Sequence, residues 1–259
     1  MSKDLQLAIQ AAKDAGRIIL EAYGRSKEKT EKGRGDFVTA TDVLAEQAII
    51  ARLQSTGYSI LAEETGKIDN YSKREWVIDP LDGTNNFIRG FSFFAVSIAL
   101  MENEKDLLLG VVYDPIADEC YWAEKHEGAY MNGEKIFISR EKELGESVLL
   151  IECGRSEQSK KDYLACLQRL TMDDGACVIR QGSTALMLCY VAKGMAEAFL
   201  SVGDELYDYA GGLIIAQEAG ADISDWVGKP WDNTSAYILA ANPLMHMPIL
   251  ERISGLQQI

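Results

Sequence analysis

A chain of 259 residues that is 47% hydrophobic and has only five prolines is long enough to bury a substantial core, as one large domain or two closely packed ones. Its 26 Lys and Arg stand against 40 Asp and Glu, a formal net charge of −14, which speaks against nonspecific binding to nucleic acid or to an anionic membrane. No stretch reaches the roughly 18 apolar residues of a membrane span, and Lys3, Asp4, Lys13, Asp14 and Arg17 interrupt the apolar run that a signal peptide needs. Five cysteines (Cys120, Cys153, Cys166, Cys177 and Cys189) are an odd number without CxxC spacing, the pattern of reduced thiols. The expected location is therefore the cytoplasm. The sequons at Asn70 and Asn233 and the Arg-Gly-Asp at 34–36 are then chance matches.

In chain order, Leu5, Ala8, Ala12, Ala15, Ile19 and Ala22 recur at helical spacing before Gly24 and predict an amphipathic helix. EKTEKGRGD reads as a polar loop. DVLAEQAIIARLQSTG predicts a second helix, with Thr41 or Asp42 near its N-cap and Gly57 near its end. YSILAEE reads as a strand that finishes on two acids. Short apolar runs at 76–78, 93–101, 106–113, 119–123 and 128–131, separated by turn signals such as Asn132-Gly133, predict a sheet rich in antiparallel pairs. After a charged stretch at 139–147, strand and helix patterns alternate through VLLIEC, DYLACLQRL, ACVIRQG, STALMLCYVAKG and AEAFLS, the rhythm of an α/β unit. The helix YDYAGGLIIAQEAG and the strand AYILAAN complete it. Two units are expected: 1–143, α+β, and 144–259, α/β.

The chemistry concentrates in WVIDPLDGTNNF. Asp79 and Asp82 stand around a Pro80-Leu81 bend that can fold both carboxylates toward one point. Two such anions repel each other unless a cation sits between them. Mg²⁺ suits that gap, because it takes oxygen ligands and a main-chain carbonyl such as that of Leu81 can join the carboxylates. Gly83 and Thr84 then offer backbone N–H groups at the start of a helix or turn, a seat for phosphate. An ordinary Asp82-Gly83 turn with a surface Asp79 also accounts for the fragment. Likewise Asp42 and Asp208 read as helix caps, and Glu63 and Glu64 as a solvated strand end. His126 and His246 are the only histidines, too few for a His-rich zinc site, and both are expected at the surface.

Taken together, Ala62-Glu63-Glu64, WVIDPLDGTNNF and YDYAGGLIIAQEAGA resemble the inositol monophosphatase family, which is marked by a Glu-Glu pair, WxxDPxDGTxNF and a late WDxAxG element. The likeness also takes in VTATD, QGSTAL and ILAAN. It implies a layered αβαβα sandwich of the sugar-phosphatase type, homodimerisation, two or three Mg²⁺ per site, and inhibition by Li⁺ or Ca²⁺. By motif, Glu63, Asp79 and the Leu81 carbonyl would hold one ion, and Asp79, Asp82 and Asp208 a second. Thr84, hydrogen-bonded toward Asp42, would polarise the attacking water. Gly83, Thr84 and Asn85 would hold phosphate, and Gly182, Ser183 and Thr184 would line the sugar side. Glu64 would act through water, and Lys32 matches a basic residue near the metals, on a loop to which Gly33 and Gly35 would lend freedom.

The resemblance is poorest where substrate is chosen. The family's inositol-contacting Glu falls at Ser201, with Asp204 or Glu205 able to reach the same space, and the family's Trp falls at Tyr207. The expected activity is hydrolysis of a small phosphorylated metabolite, inositol 1-phosphate first. Fructose 1,6-bisphosphate, 3′-phosphoadenosine 5′-phosphate, NADP and histidinol phosphate are alternatives, and a noncatalytic phospholigand or divalent-ion sensor is a more distant one. A nucleotide module at Gly211 lacks GxGxxG after a strand.

Overall fold

The computed structural model describes residues 1–25, 29–33, 36–173 and 175–256. The Arg-Gly-Asp motif and Gly35 fall largely outside these. The first helix, α1 (Lys3–Ala22), is capped by Ser2, whose hydroxyl accepts from the Leu5 N–H, and it buries Leu5, Ala8, Ala12, Ala15 and Ile19 as the spacing predicts. What the sequence suggests is a polar loop becomes a hairpin, β1 (Thr30–Gly33) against β2 (Asp36–Val38). Its residues are polar because β1 is exposed along its whole length, so no apolar alternation marks it.

Helix α2 (Ala40–Leu53) is capped by Thr39, not by Thr41 or Asp42. Asp42 is the third helical residue and closes a capping box, accepting from the Thr39 N–H at 2.8 Å. An eight-stranded sheet follows, in the order β10-β9-β8-β7-β6-β5-β3-β4. Its strands are β3 (Ser59–Ala62), β4 (Gly66–Ile68), β5 (Arg74–Asp82), β6 (Ala95–Glu102), β7 (Asp106–Asp114), β8 (Glu119–Glu124), β9 (Gly128–Met131) and β10 (Glu134–Ile136). Only the β3–β5 pair is parallel. The short helix α3 (Thr84–Arg89) leaves β5 directly.

A second sheet, ordered β12-β11-β13-β15-β14, is built from β11 (Val148–Cys153), β12 (Cys177–Ile179), β13 (Ala198–Val202), β14 (Asp222–Ser224) and β15 (Tyr237–Ala241). Its helices are α4 (Glu157–Gln168), α5 (Thr184–Ala192), α6 (Leu206–Ala219) and α7 (Pro243–Ile253). Three hydrophobic clusters define the layers. One joins α1 and α2 to the large sheet through Leu5, Ile19, Ile49 and Trp76. The central one joins both sheets to α5 and α6 through Val112, Leu188, Leu213 and Phe199. The third joins the small sheet to α4 and α7 through Leu149, Cys166 and Ile249. The result is the αβαβα sandwich the resemblance implies.

In the central layer α6 comes unusually near the large sheet. A Cβ at Gly110 would stand 2.4 Å from the Gly211 carbonyl oxygen, and one at Gly211 2.6 Å from Ser97 Oγ, so side chains at these points would force helix and sheet apart. His246 also departs from expectation: it is buried, with Nε2 2.9 Å from Ser224 Oγ, because it lies on the face of α7 that packs against the small sheet. His126 is exposed as expected. The five cysteines are free.

Candidate active site

Strand β5 runs without interruption to Asp82, yet residues three apart on a regular strand face opposite sides. A register shift resolves this. Asp79 pairs with Ser97 and Asp82 with Ala95, so three steps along β5 match two along β6. Pro80 sits in the resulting bulge, where its missing N–H costs no ladder bond. The extra residue brings both carboxylates to one cavity, which Asp79, Leu81 and Asp82 all line. Asp79 Oδ1 accepts from the Leu81 N–H at 2.9 Å and fixes the bend.

Glu63 is held beside them by its N–H, which donates to the Ile78 carbonyl at 3.1 Å. A residue not foreseen from the sequence secures this corner. Glu46, buried on α2, accepts from the N–H groups of Glu64 (2.8 Å) and Thr65 (2.9 Å). Its only sequence signal is an acid on the buried face of a helix. Lys32, from β1, reaches over to Glu63 at 3.2 Å and Glu64 at 2.5 Å. Asp208 arrives from the other half of the chain as the third residue of α6, with Oδ2 accepting from the Glu205 N–H at 2.8 Å.

Asp42 is fully buried and does not line the cavity. It is linked to the cavity by Thr84, whose hydroxyl lies 2.9 Å from Asp42 Oδ1 and 3.0 Å from the Leu81 carbonyl. Gly83, at φ +95°, precedes α3; a Cβ there would meet the Phe93 and Gly182 carbonyl oxygens at 3.0 and 3.1 Å, so only glycine fits. The cavity, about 880 Å³, is further lined by Thr84, Asn85, Gly182, Thr184, Asp204 and Glu205. Two expected substrate residues do not line it. Ser183 donates to Asp82 Oδ2 at 2.6 Å, and Ser201, also buried, donates to Asp204 Oδ2 at 2.5 Å. Both steady carboxylates from behind.

The electrostatics are lopsided. Burial, then the charges of Glu63, Asp82 and Asp208, raises Asp79 well above the usual carboxylate range. Burial, then the charges of Asp204 and Asp82, does the same to Asp208. Burial lifts Asp82 to about 7, against the donors Ser183 and Ala185, and lifts Glu64 to about 7 despite Lys32. Glu63 is raised by burial even with Lys32 beside it. Burial pulls Lys32 down, but Glu64 and Glu63 outweigh it and leave it raised. Around Asp79, Asp82 and Asp208 acids outnumber bases, and the groups these residues offer are all oxygens, the set a hard divalent cation takes. Among the described residues, no three of these side chains are already gathered tightly enough to hold an ion.

A bulged strand end that gathers acids, a glycine-led helix start and a cavity shared by both sheets define a phosphate-ester hydrolase of the layered α/β type. A family model described as "Inositol monophosphatase family" matches residues 1–258. The chain belongs to the inositol monophosphatase family. An inositol-1-monophosphatase of Mesorhizobium japonicum is 35% identical over 256 residues, covering 96% of this chain and 95% of that one. A Nus factor SuhB of Pasteurella multocida is 35% identical over 258 residues, covering 98% and 96%. Among solved structures, an IMPase of Thermotoga maritima superposes with a TM-score of 0.89 at 30% identity, covering 99% of each chain.

Proposed function

We propose that this phosphatase hydrolyses the phosphate monoester of a small polyol, inositol 1-phosphate first, with Mg²⁺ as its metal. The observation that carries the reading is the meeting of Glu63, Asp79, Asp82 and Asp208 in one cavity with the Gly83-Thr84 helix start. Glu63, Asp79 and the Leu81 carbonyl would hold one ion and Asp79, Asp82 and Asp208 a second, two or three in all. Bound there, they supply a Lewis acid for the phosphate and a lowered pKa for the attacking water.

The protein's own groups divide the remaining work. Because the Thr84 hydroxyl proton is engaged by Asp42 or Leu81, its oxygen lone pairs are left to accept from a water in the cavity. Asp42, raised by burial, is a fitting final acceptor for that proton. The N–H groups of Gly83 and Thr84, with Asn85 beside them, orient the phosphate oxygens. Neither histidine lines the cavity, so no histidine there serves as nucleophile.

A second reading, a sugar bisphosphate or nucleotide substrate, draws support from Arg155, Lys160 and Arg180, which line the end of the cavity formed by the second half of the chain. A division near residue 143, a homodimer, a cytoplasmic location and sensitivity to Li⁺ complete the proposal. Phosphate release from a panel of monoesters, with and without Mg²⁺, tests it. Asp79→Asn and Asp208→Asn should each lower kcat at least about 100-fold; retained turnover would sink the metal assignment, and no turnover of any ester would favour a sensor.

A further inference from the structure

Glu152, the penultimate residue of β11, lines the same cavity and has no part in the chemistry above. Only 7% of it is exposed. One of its oxygens, Oε1, accepts from the Cys153 N–H at 3.0 Å and from Arg180 Nε at 2.5 Å. The other, Oε2, is buried without any partner. A buried carboxylate oxygen left without a donor is costly, so its retention calls for a donor that arrives with a ligand.

The placement indicates which donor. Glu152 pairs in register with Ser201 on β13, and Ser201 and Thr184 both donate to Asp204. Their hydroxyls are therefore committed inward. Glu152 lines the same cavity as Asp204 and Asp82. An anionic ligand group has no proton to offer Oε2. A cationic one would duplicate Arg180, which already binds this carboxylate. A neutral hydroxyl satisfies Oε2 without changing the charge of the wall.

We propose that Glu152 Oε2 accepts a hydrogen bond from a hydroxyl of the substrate's leaving group, with Arg180 holding the carboxylate in the cavity wall through Oε1. Glu152 thus sets preference for polyol over aryl or alkyl esters, which deepens and rests on the phosphatase reading. The Glu152→Gln variant is a sharp probe. Arg180 and the Cys153 N–H demand an acceptor at the Oε1 position, so the amide NH₂ falls at Oε2 and turns acceptor into donor.

The test is the ratio of kcat/KM for inositol 1-phosphate to that for p-nitrophenyl phosphate, which lacks hydroxyls, measured in Mg²⁺. Glu152→Gln should lower the ratio about 10- to 100-fold, and the exposed control Glu146→Gln should leave it in place. An unchanged ratio overturns the assignment. If Glu152→Gln fails to fold, Arg180→Ala, which frees the carboxylate from its anchor, should lower the same ratio, and an unchanged ratio there overturns it equally. If the wild type hydrolyses neither ester, the phosphatase reading falls, and calorimetric binding of inositol 1-phosphate decides about Glu152. At least tenfold weaker binding by Glu152→Gln upholds the inference; equal binding, or none by the wild type, removes it.

Discussion

Replacing Thr84 by Val keeps the side chain's shape and deletes its hydroxyl, which lies 2.9 Å from Asp42 Oδ1 and 3.0 Å from the Leu81 carbonyl. Asp42 keeps the Thr39 N–H at 2.8 Å and the Thr39 hydroxyl at 2.5 Å, so it is weakened but not stranded. Loss of one hydrogen bond to a buried carboxylate should cost about 1.5–3 kcal/mol of stability, read from urea denaturation. The kinetic effect should be larger in proportion. If the hydroxyl orients the water and Asp42 takes its proton, kcat falls about 10²- to 10⁴-fold while KM moves little. The cycle with Asp42→Asn adds a discriminating readout: two members of one relay are not additive, so the double variant should lose little more than the worse single one. A Thr84→Val enzyme that is destabilised as expected but keeps its turnover within about threefold would refute the relay. Full additivity would do the same.

The metal-free protein should become less stable as pH rises. Asp82 and Asp204 titrate at about 7 in the folded state, above their ordinary carboxylate values, so the fold binds their protons more tightly than the unfolded chain does. Their contribution is full below about pH 4 and is lost as pH climbs through about 7; His246, pulled down by burial, acts in the opposite sense. The urea midpoint in EDTA should therefore fall between pH 5 and pH 8, and Mg²⁺ should restore it mainly at pH 8. A midpoint that rises over that range would contradict the charge deficit. Glu46→Gln should disturb the site without touching it, since an amide cannot accept at both oxygens from the Glu64 and Thr65 N–H groups. Several-fold weaker activation by Mg²⁺ is expected, with about 1–3 kcal/mol lost in stability; an unchanged Mg²⁺ titration would show that the corner is held by other means.

Much of this was legible in the chain because the acids around the cavity lie in short linear motifs. DPLDGTNNF carries its own bulge, bend and helix start, so local chemistry nearly determines it. The helices with one apolar stripe, such as α1, were equally plain. What escaped depends on partners distant in sequence. Glu46 and Glu152 are ordinary acids until packing brings the Glu64 turn to one and Arg180 to the other. Ser201 was expected to face substrate, but its orientation follows from Asp204 three residues on. Helix α7 lies beyond the last element read from the sequence; Pro243 occupies its first turn, where its missing N–H goes unneeded. The three-residue strands β4, β10 and β14 are too short to show a period.

The near contact of Gly110 with Gly211 has a bearing on how variants of this enzyme are interpreted. Asp208 lies one turn before Gly211 on α6, while Asp79 and Asp82 belong to the sheet on which that helix rests. The spacing between these acids, proposed above to share metal ions, is thus gauged by two residues without side chains, outside the residues that line the cavity. A methyl group added at either would act as a shim, lifting one jaw of a vice whose faces carry Asp208 on one side and Asp79 and Asp82 on the other. Such a change would imitate an active-site lesion while every catalytic side chain stayed intact.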